Sequence, residues 1–151
     1  MATPGAVLGA VRERLVASTD LQTYVGVDGT ASDPTAARVI VKYTIDTTLQ
    51  AYPAVTLYQE RAQLDPTITR TWNPGFVLVS CYSNRDVEEP LEMYEIISPL
   101  LHGKKTEVSS SILGVCVHEV VERDVRGPRW VEETSCWRLD ILYRIRASVI
   151  D

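Results

Sequence analysis

Apolar residues repeat along the chain with two spacings, and each spacing predicts one kind of secondary structure. From Gly75 to Ser83 apolar side chains fall on both faces of an extended chain, which predicts a strand covered by protein on both sides. Apolar residues at helical spacing follow at once and end before Gly103, a residue that commonly terminates helices. Asp86 and Glu89 have the spacing of a capping box at the start of that helix. This strand-to-helix unit is the predicted centre of the fold.

The N-terminal part of the chain predicts two further helical segments. Thr3 and Pro4 are typical of an N-cap and a first helical residue, and helical spacing of apolar residues then continues to about Ser18. Asp20 is expected to cap a short second helix, and Gly26 is expected to end it.

The remaining strands are predicted from alternating and β-branched residues. Such stretches occur at 38–45 and 53–58, and a proline confines the second to an edge or to a strand start. Residues 26–36 have the composition of an exposed loop, and the polar connection 59–74 is expected to carry a role, a hairpin of its own or an extended arm at 67–72.

The C-terminal third predicts a long hairpin. Two β-rich segments, 107–123 and 131–147, are separated by residues 124–129, which have the composition of a hairpin loop. The order of elements predicts an α+β fold, in which two main helices pack on one face of a single, mostly antiparallel sheet.

The hairpin also predicts association between copies of the chain. Its first strand carries aliphatic residues on both faces, so that Val115 and Val117 are expected to point away from the helices and to need a cover. Another copy of the same chain is the simplest cover. Arg138, Arg144 and Arg146 form a row on the last strand, which is either a solvated face or a surface that meets acidic groups of a neighbouring subunit. These five residues are the predicted subunit interface, and Val117→Asp is then expected to block assembly and leave the subunit folded.

Composition narrows the class of protein. The 151 residues suit a single domain spanning 1–151, and 45% hydrophobic with 23% charged residues is typical of a soluble protein. A net charge of -5 argues against broad binding to duplex DNA. The sequence has no apolar stretch of bilayer length and no N-terminal signal pattern, so we expect a product of the cytoplasm without a membrane partner.

No motif predicts a catalytic, cofactor or metal site. Cys81, Cys116 and Cys136 lack metal-type spacing and are interpreted as reduced thiols of the core. His102 lies at the end of the central helix, where it can satisfy the last carbonyl groups. His118 shares a predicted strand face with Cys116, which leaves a small thiol enzyme as an alternative, although no orienting third group is identifiable.

In its order and length of parts the chain resembles the tail terminator, or tail completion, proteins of long-tailed bacteriophages. The resemblance covers nearly the whole chain and rests on pattern and size, without an invariant catalytic signature. The elements that carry it are a helix at 6–16, a short apolar turn ending at Gly26, strand 53–58, the strand-to-helix unit 76–101 with Gly103, and a closing hairpin that ends at Arg146.

The resemblance implies a structural role in the virion. Members of this family form a ring, usually a hexamer, that sits on the last ring of the tail tube, stops its growth and offers a surface to the head or neck. The implied partners are other copies of the chain, the tail tube protein and a neck or head-completion protein, at the head-proximal end of the tail. DNA is expected to pass through the lumen without specific binding, which suits an acidic chain.

Two rival hypotheses belong to other classes of protein or to other positions. The nearest is another ring of the head-to-tail neck, a connector, or the tail tube itself. The other is a monomeric binding module whose Arg138, Arg144 and Arg146 hold an acidic partner.

Overall fold

The computed structural model describes residues 4–27, 38–41, 53–59, 75–109 and 114–149, and these contain one five-stranded sheet with the strand order β1-β2-β3-β5-β4. The pairing of β1 with β2 is parallel and the other three pairings are antiparallel. The predicted α+β class with a mostly antiparallel sheet is confirmed. The strands are β1 (Val39–Val41), β2 (Ala54–Gln59), β3 (Gly75–Ser83), β4 (Val115–Val131) and β5 (Cys136–Val149).

Four helices accompany the sheet: α1 (Pro4–Val16), α2 (Thr19–Val25), α3 (Glu88–Leu101) and α4 (Lys105–Val108). The cap of α2 differs from the prediction, because Ser18 and not Asp20 accepts a hydrogen bond from the backbone N–H of Leu21, at 3.3 Å. Ser18 has the extended backbone that an N-cap requires, whereas Asp20 already lies inside the helix. Gly26 ends the helix with a φ of 86°, as predicted.

The start of α3 is stabilised by contacts other than the predicted capping box. Asp86 Oδ1 accepts from the backbone N–H of Glu88 at 3.0 Å. The carboxylate of Glu89 instead accepts from Arg85 Nη2 at 2.8 Å and from Ser83 Oγ at 2.6 Å. The last residue of β3 and the first turn of α3 are therefore tied together directly, which fixes the strand-to-helix turn.

One face of the sheet packs with the helices. Apolar residues of all four helices form a single buried cluster with side chains from one face of the strands, and we call this face the helix side. Its buried strand residues include Val55, Leu57, Val77, Val79, Cys81, Leu139, Ile141, Tyr143 and Ile145.

Glu122 fixes α3 to β4. Its carboxylate accepts hydrogen bonds from Tyr94 Oη at 3.1 Å and Ser98 Oγ at 3.0 Å, and its backbone N–H donates to His102 Nδ1 at 3.0 Å. Burial, together with the bond to Glu122, raises the pKa of Tyr94. His102 is the C-cap of α3, as its predicted position implies, and its backbone N–H donates to the carbonyl oxygen of Ser98 at 2.9 Å. A bond from its imidazole to the last carbonyl groups stays a prediction, and the next residue, Gly103, has a φ of 71°.

Val115 and Val117 require the main correction. Their side chains are 0% and 3% exposed and belong to the cluster on the helix side. The expectation that they point away from the helices is wrong, because two-residue alternation shows which residues share a face and not which face the helices cover. These two valines stabilise the subunit itself and do not form an available surface.

The hairpin also differs from its prediction. Residues 124–129 are part of β4, where irregularities of register occur between Glu122 and Asp124 and between Arg126 and Arg129, and the turn lies instead at 132–135. The first β-rich segment was predicted to begin at residue 107, but that residue lies in α4. Bulges absorb the Gly and Pro that otherwise indicate a loop.

Several predicted segments lie outside the described residues. These are the N-cap at Thr3, most of the loop 26–36, the strand at 38–45 beyond Val41, and nearly all of the connection 59–74. Among the described helices, none has the length and apolar character needed to cross a bilayer.

Candidate interaction surface

The face of the sheet opposite the helix side is the candidate functional site, and we call it the outer face. Antiparallel pairing of β3 with β5 places Leu78 beside Leu142, Ser80 beside Asp140 and Tyr82 beside Arg138. Neighbouring pairs on one face of a sheet are close enough for direct contact. The outer face also includes Tyr58 of β2, Arg144 and Arg146 of β5, and Asp124, Arg126 and Arg129 of β4.

A buried ion pair lies at the centre of the outer face. Asp140 Oδ1 accepts from Arg138 Nε at 2.7 Å and from Ser80 Oγ at 2.6 Å. The guanidinium of Arg138 also lies 5.4 Å from the centre of the Tyr82 ring, and the two charged side chains are only 8% and 12% exposed. Opposite charges two residues apart on one strand lie on the same face of the sheet. Here the neighbouring strand β3 adds the hydroxyl of Ser80 as a second donor to Asp140. Arg138 is therefore engaged within the subunit.

Next to this pair is a depression with a volume of about 270 Å³, which we call the arginine depression. Arg126 and Arg129 are its most exposed charges, with 78% and 58% of their side chains accessible. Arg126 Nε lies 2.8 Å from Asp124, and Arg129 Nη2 lies 3.4 Å from Asp140. The pair of Arg126 with Asp124 is exposed and contributes little to stability, and Asp140, although only 12% exposed, is already held by Arg138 and Ser80. Both exposed guanidinium groups can therefore exchange their partners for other carboxylates. The lining residues are Leu78, Asp124, Arg126, Arg129, Arg138, Asp140 and Leu142.

The other two arginines of the predicted row differ in their surroundings. Arg144 is half-exposed and its Nη2 donates to Glu119 Oε1 at 2.7 Å. Arg146 is exposed and lies opposite Glu119 in the strand register. The structure thus places Arg138, Arg144 and Arg146 on one face, as predicted, and separates them into one buried and two accessible cations. Their contact with another subunit stays a prediction.

A second charged surface lies on α3. Glu88, Glu92 and Glu95 are exposed at the spacing i, i+4, i+7, which places them in one row, and α3 contains no Lys or Arg. We call this row the acidic stripe. Tyr24 Oη donates to Glu92 at 2.7 Å. That hydrogen bond, burial and the nearby carboxylates together raise the pKa of Tyr24 to about 12. The surface of α3 therefore carries a negative field that its own helix does not neutralise.

The residues of the thiol-enzyme hypothesis gain no support. Cys116 is half-buried and His118 is exposed, and the register shifts between Val117 and Glu119, so the strict alternation that placed the pair on one face is interrupted at His118. All three cysteines are free thiols, and burial raises the pKa of Cys81. In the described ranges no group of three or more His, Cys, Asp or Glu residues could hold a metal ion.

The partners that give the outer face its character were not predicted from the sequence. Asp140 follows Arg138 by two residues in a strand, a spacing that indicates a same-face ion pair. The acidic stripe could equally have been predicted from the i, i+4, i+7 spacing of its glutamates. Arg126 and Arg129 were not readable in this way, because residues 124–129 were assigned to a loop.

Comparison with known proteins finds a likeness of fold. No family model matches the sequence, and no curated protein matches it. Among solved structures, the chain is similar to a chain of a structure described as the virion of a native gene transfer agent (GTA) particle. The TM-score is 0.68 at 18% sequence identity, and the alignment covers 97% of this chain and 98% of that chain.

The buried ion pair makes a testable contribution to stability. In Asp140→Asn the amide keeps the shape of the carboxylate and removes the charge that compensates Arg138. We expect a loss of about 2 kcal/mol in the free energy of unfolding. Asp124→Asn is the matched control, because its pair with Arg126 is exposed, and it is expected to cost less than about 0.5 kcal/mol. Urea denaturation measures both, and equal losses would contradict the assignment.

Proposed function

We propose that this chain is a structural protein of a virion and that its copies form a ring at the head-proximal end of a phage-type tail. The ring would cap the tail tube, end its polymerisation and provide the surface to which the neck or head attaches. The observation that carries the proposal is the fold likeness to a chain of a virion, which extends over nearly the full length of both chains. The order of elements in the sequence independently resembles the tail terminator family.

The outer face supports association. It combines accessible arginines with half-buried apolar residues such as Leu78 and Leu142, and Tyr58 is 37% exposed. Interfaces between proteins commonly join apolar residues, aromatic residues and Arg in this way. A ring subunit needs two different contact surfaces, because each copy touches one neighbour on either side. The outer face and the surface of α3 are two such surfaces.

The second candidate is another ring of the same assembly, either a connector in the neck or the tail tube itself. The same full-length likeness favours it, since the description of the related structure specifies a virion particle and no position within it. The two candidates differ in what the ring binds. A terminator binds the end of a finished tube, whereas a connector binds the head.

Binding to isolated tail tubes separates the candidates. Purified protein is mixed with tubes assembled from tail tube protein alone and, in parallel, with DNA-filled heads that lack tails. The proposal expects rings at one end of the tubes in negative-stain images and an arrest of tube growth. Binding to heads without any binding to tubes would move the assignment to a connector, and spontaneous growth of long tubes from the protein alone would move it to the tube.

A further inference from the structure

We propose that copies of this chain join head to tail, with the acidic stripe of one copy seated on the arginine depression of the next. This inference rests on the ring proposed above and identifies the contact that builds it. Glu88 and Glu92 on α3 would meet Arg126 and Arg129 on β4, with Leu91 beside the two carboxylates.

The two surfaces lie on opposite sides of the subunit. Tyr94 and Ser98 of α3 bond to Glu122, which pairs with the helix-side residue Tyr143 in the strand register, so α3 lies on the helix side. The strand positions that line the arginine depression all belong to the outer face. One subunit therefore cannot bring its own stripe onto its own depression. Contact between different surfaces of two copies is heterologous, and such contacts close into rings when the rotation per subunit permits.

The charges are complementary and available. Although the whole chain has a net charge of -5, the outer face carries the exposed cations Arg126, Arg129 and Arg146, and the glutamates of α3 have no basic residue within the helix. Like charges four residues apart on a helix repel each other, and cations from another copy remove that repulsion. Arg126 and Arg129 are themselves exposed, and Asp140 keeps its bonds to Arg138 and Ser80 when Arg129 changes partner, so the exchange costs little. The carboxylates that raise the pKa of Tyr24 give the surface of α3 the negative charge that a cationic partner requires.

The spacings also match. Arg126 and Arg129 lie opposite Asp140 and Arg138, two residues apart on β5, so the rise between them is about 7 Å. Glu88 and Glu92 are four residues apart on a helix, which is a rise of about 6 Å.

Apolar residues accompany these charges on both surfaces. Leu91 is 39% exposed beside the acidic stripe, and Leu78 and Leu142 line the arginine depression. Contact between these leucines would remove apolar surface from water at the centre of a charged rim, which is the usual arrangement of an interface.

Charge reversal tests the contact in a way that simple loss of assembly cannot. The first variant is Arg126→Glu/Arg129→Glu and the second is Glu88→Lys/Glu92→Lys. Each variant alone is expected to need at least a tenfold higher concentration for half-assembly, as measured by light scattering. Mixed in equal amounts, the two variants are expected to assemble again into rings in which they alternate, because the stripe of each variant then meets a depression of opposite charge on the other. A chain carrying all four changes is expected to assemble by itself.

The controls separate charge from folding. Tyr24→Phe removes the hydrogen bond to Glu92 without changing a charge, and Glu13→Lys reverses an exposed charge on α1. Both are expected to assemble as the unaltered protein does. If all variants form rings alike, or if neither mixing nor combination restores assembly, this contact is wrong and the ring proposal stands. If the unaltered protein never assembles, the ring proposal falls together with the contact.

Discussion

Val117→Asp is expected to unfold the subunit, although the sequence alone predicted a folded subunit that cannot assemble. Val117 is 3% exposed within the helix-side cluster, and in the register it lies opposite Ala147, which is 0% exposed. An aspartate there would bury a carboxylate with no cation to compensate its charge. Otherwise the strand would have to rearrange and leave the space of the valine side chain empty. We expect a loss of at least about 4 kcal/mol in the free energy of unfolding, which is a large part of the stability of a small domain. Circular dichroism with a thermal scan measures it.

Val121→Asp is the matched control for that substitution. Val121 is on the same strand but half-buried, and it lies opposite Arg144 on the outer face. Its aspartate reaches water and an arginine, so we expect a cost below about 1.5 kcal/mol. A stable, folded Val117→Asp variant would show that the two faces of β4 are assigned the wrong way round.

Gly127→Ala is expected to cost about 3 kcal/mol, a large effect for the addition of one methyl group. Gly127 has a φ of 104°, and a Cβ atom at this position would lie 2.6 Å from the carbonyl oxygen of Arg138, 3.2 Å from the backbone nitrogen of Arg129 and 3.3 Å from the Cα of Leu139. Backbone atoms of the paired strand cannot move aside without breaking the pairing of β4 with β5. Thermal unfolding and urea denaturation both measure the loss.

Gly103→Ala separates backbone strain from collision. Gly103 also has a positive φ, of 71°, but nothing lies within 4 Å of a Cβ atom added there. We expect a cost of about 1 kcal/mol, from the conformation alone. If the two alanine variants are equally stable, the close approach at Gly127 is not present in the protein.

The sequence predicted the parts of the fold that depend on local spacing. The strand from Gly75 to Ser83 has the predicted bounds, Gly26 and Gly103 end helices as expected, and the α+β class follows from the order of elements. In each case the sequence pattern and the structure that it predicts lie in the same segment, so that neighbouring residues alone determine the structure.

Predictions failed where the structure depends on contacts between segments that are distant in the sequence. The side on which Val115 and Val117 lie depends on where the helices pack, and nothing in strand alternation states it. The predicted loop at 124–129 contains Asp, Gly and Pro, yet pairing with a long partner strand holds these residues in β4 with local irregularities. Ser18 caps α2 in place of the predicted Asp20, because the identity of the N-cap depends on which residue begins the first turn of the helix.

The same distinction applies to the candidate surface. Arg138, Arg144 and Arg146 were correctly placed on one face by alternation. That Arg138 is held by Asp140 and Ser80 depends on the central strand lying beside β5. Of the three predicted cations, Arg138 therefore belongs to a buried ion pair. The exposed cations of the depression beside it, Arg126 and Arg129, come from β4.

The mass of the purified protein in solution, measured by light scattering over a concentration series, decides whether copies of this chain form a ring. We expect one closed oligomer with a fixed number of subunits, whose mass does not rise further with concentration and which appears as a ring in negative-stain images. A mass equal to that of a single 151-residue chain at every concentration would contradict it. Such a result would favour a monomeric module whose outer face holds a different, acidic partner.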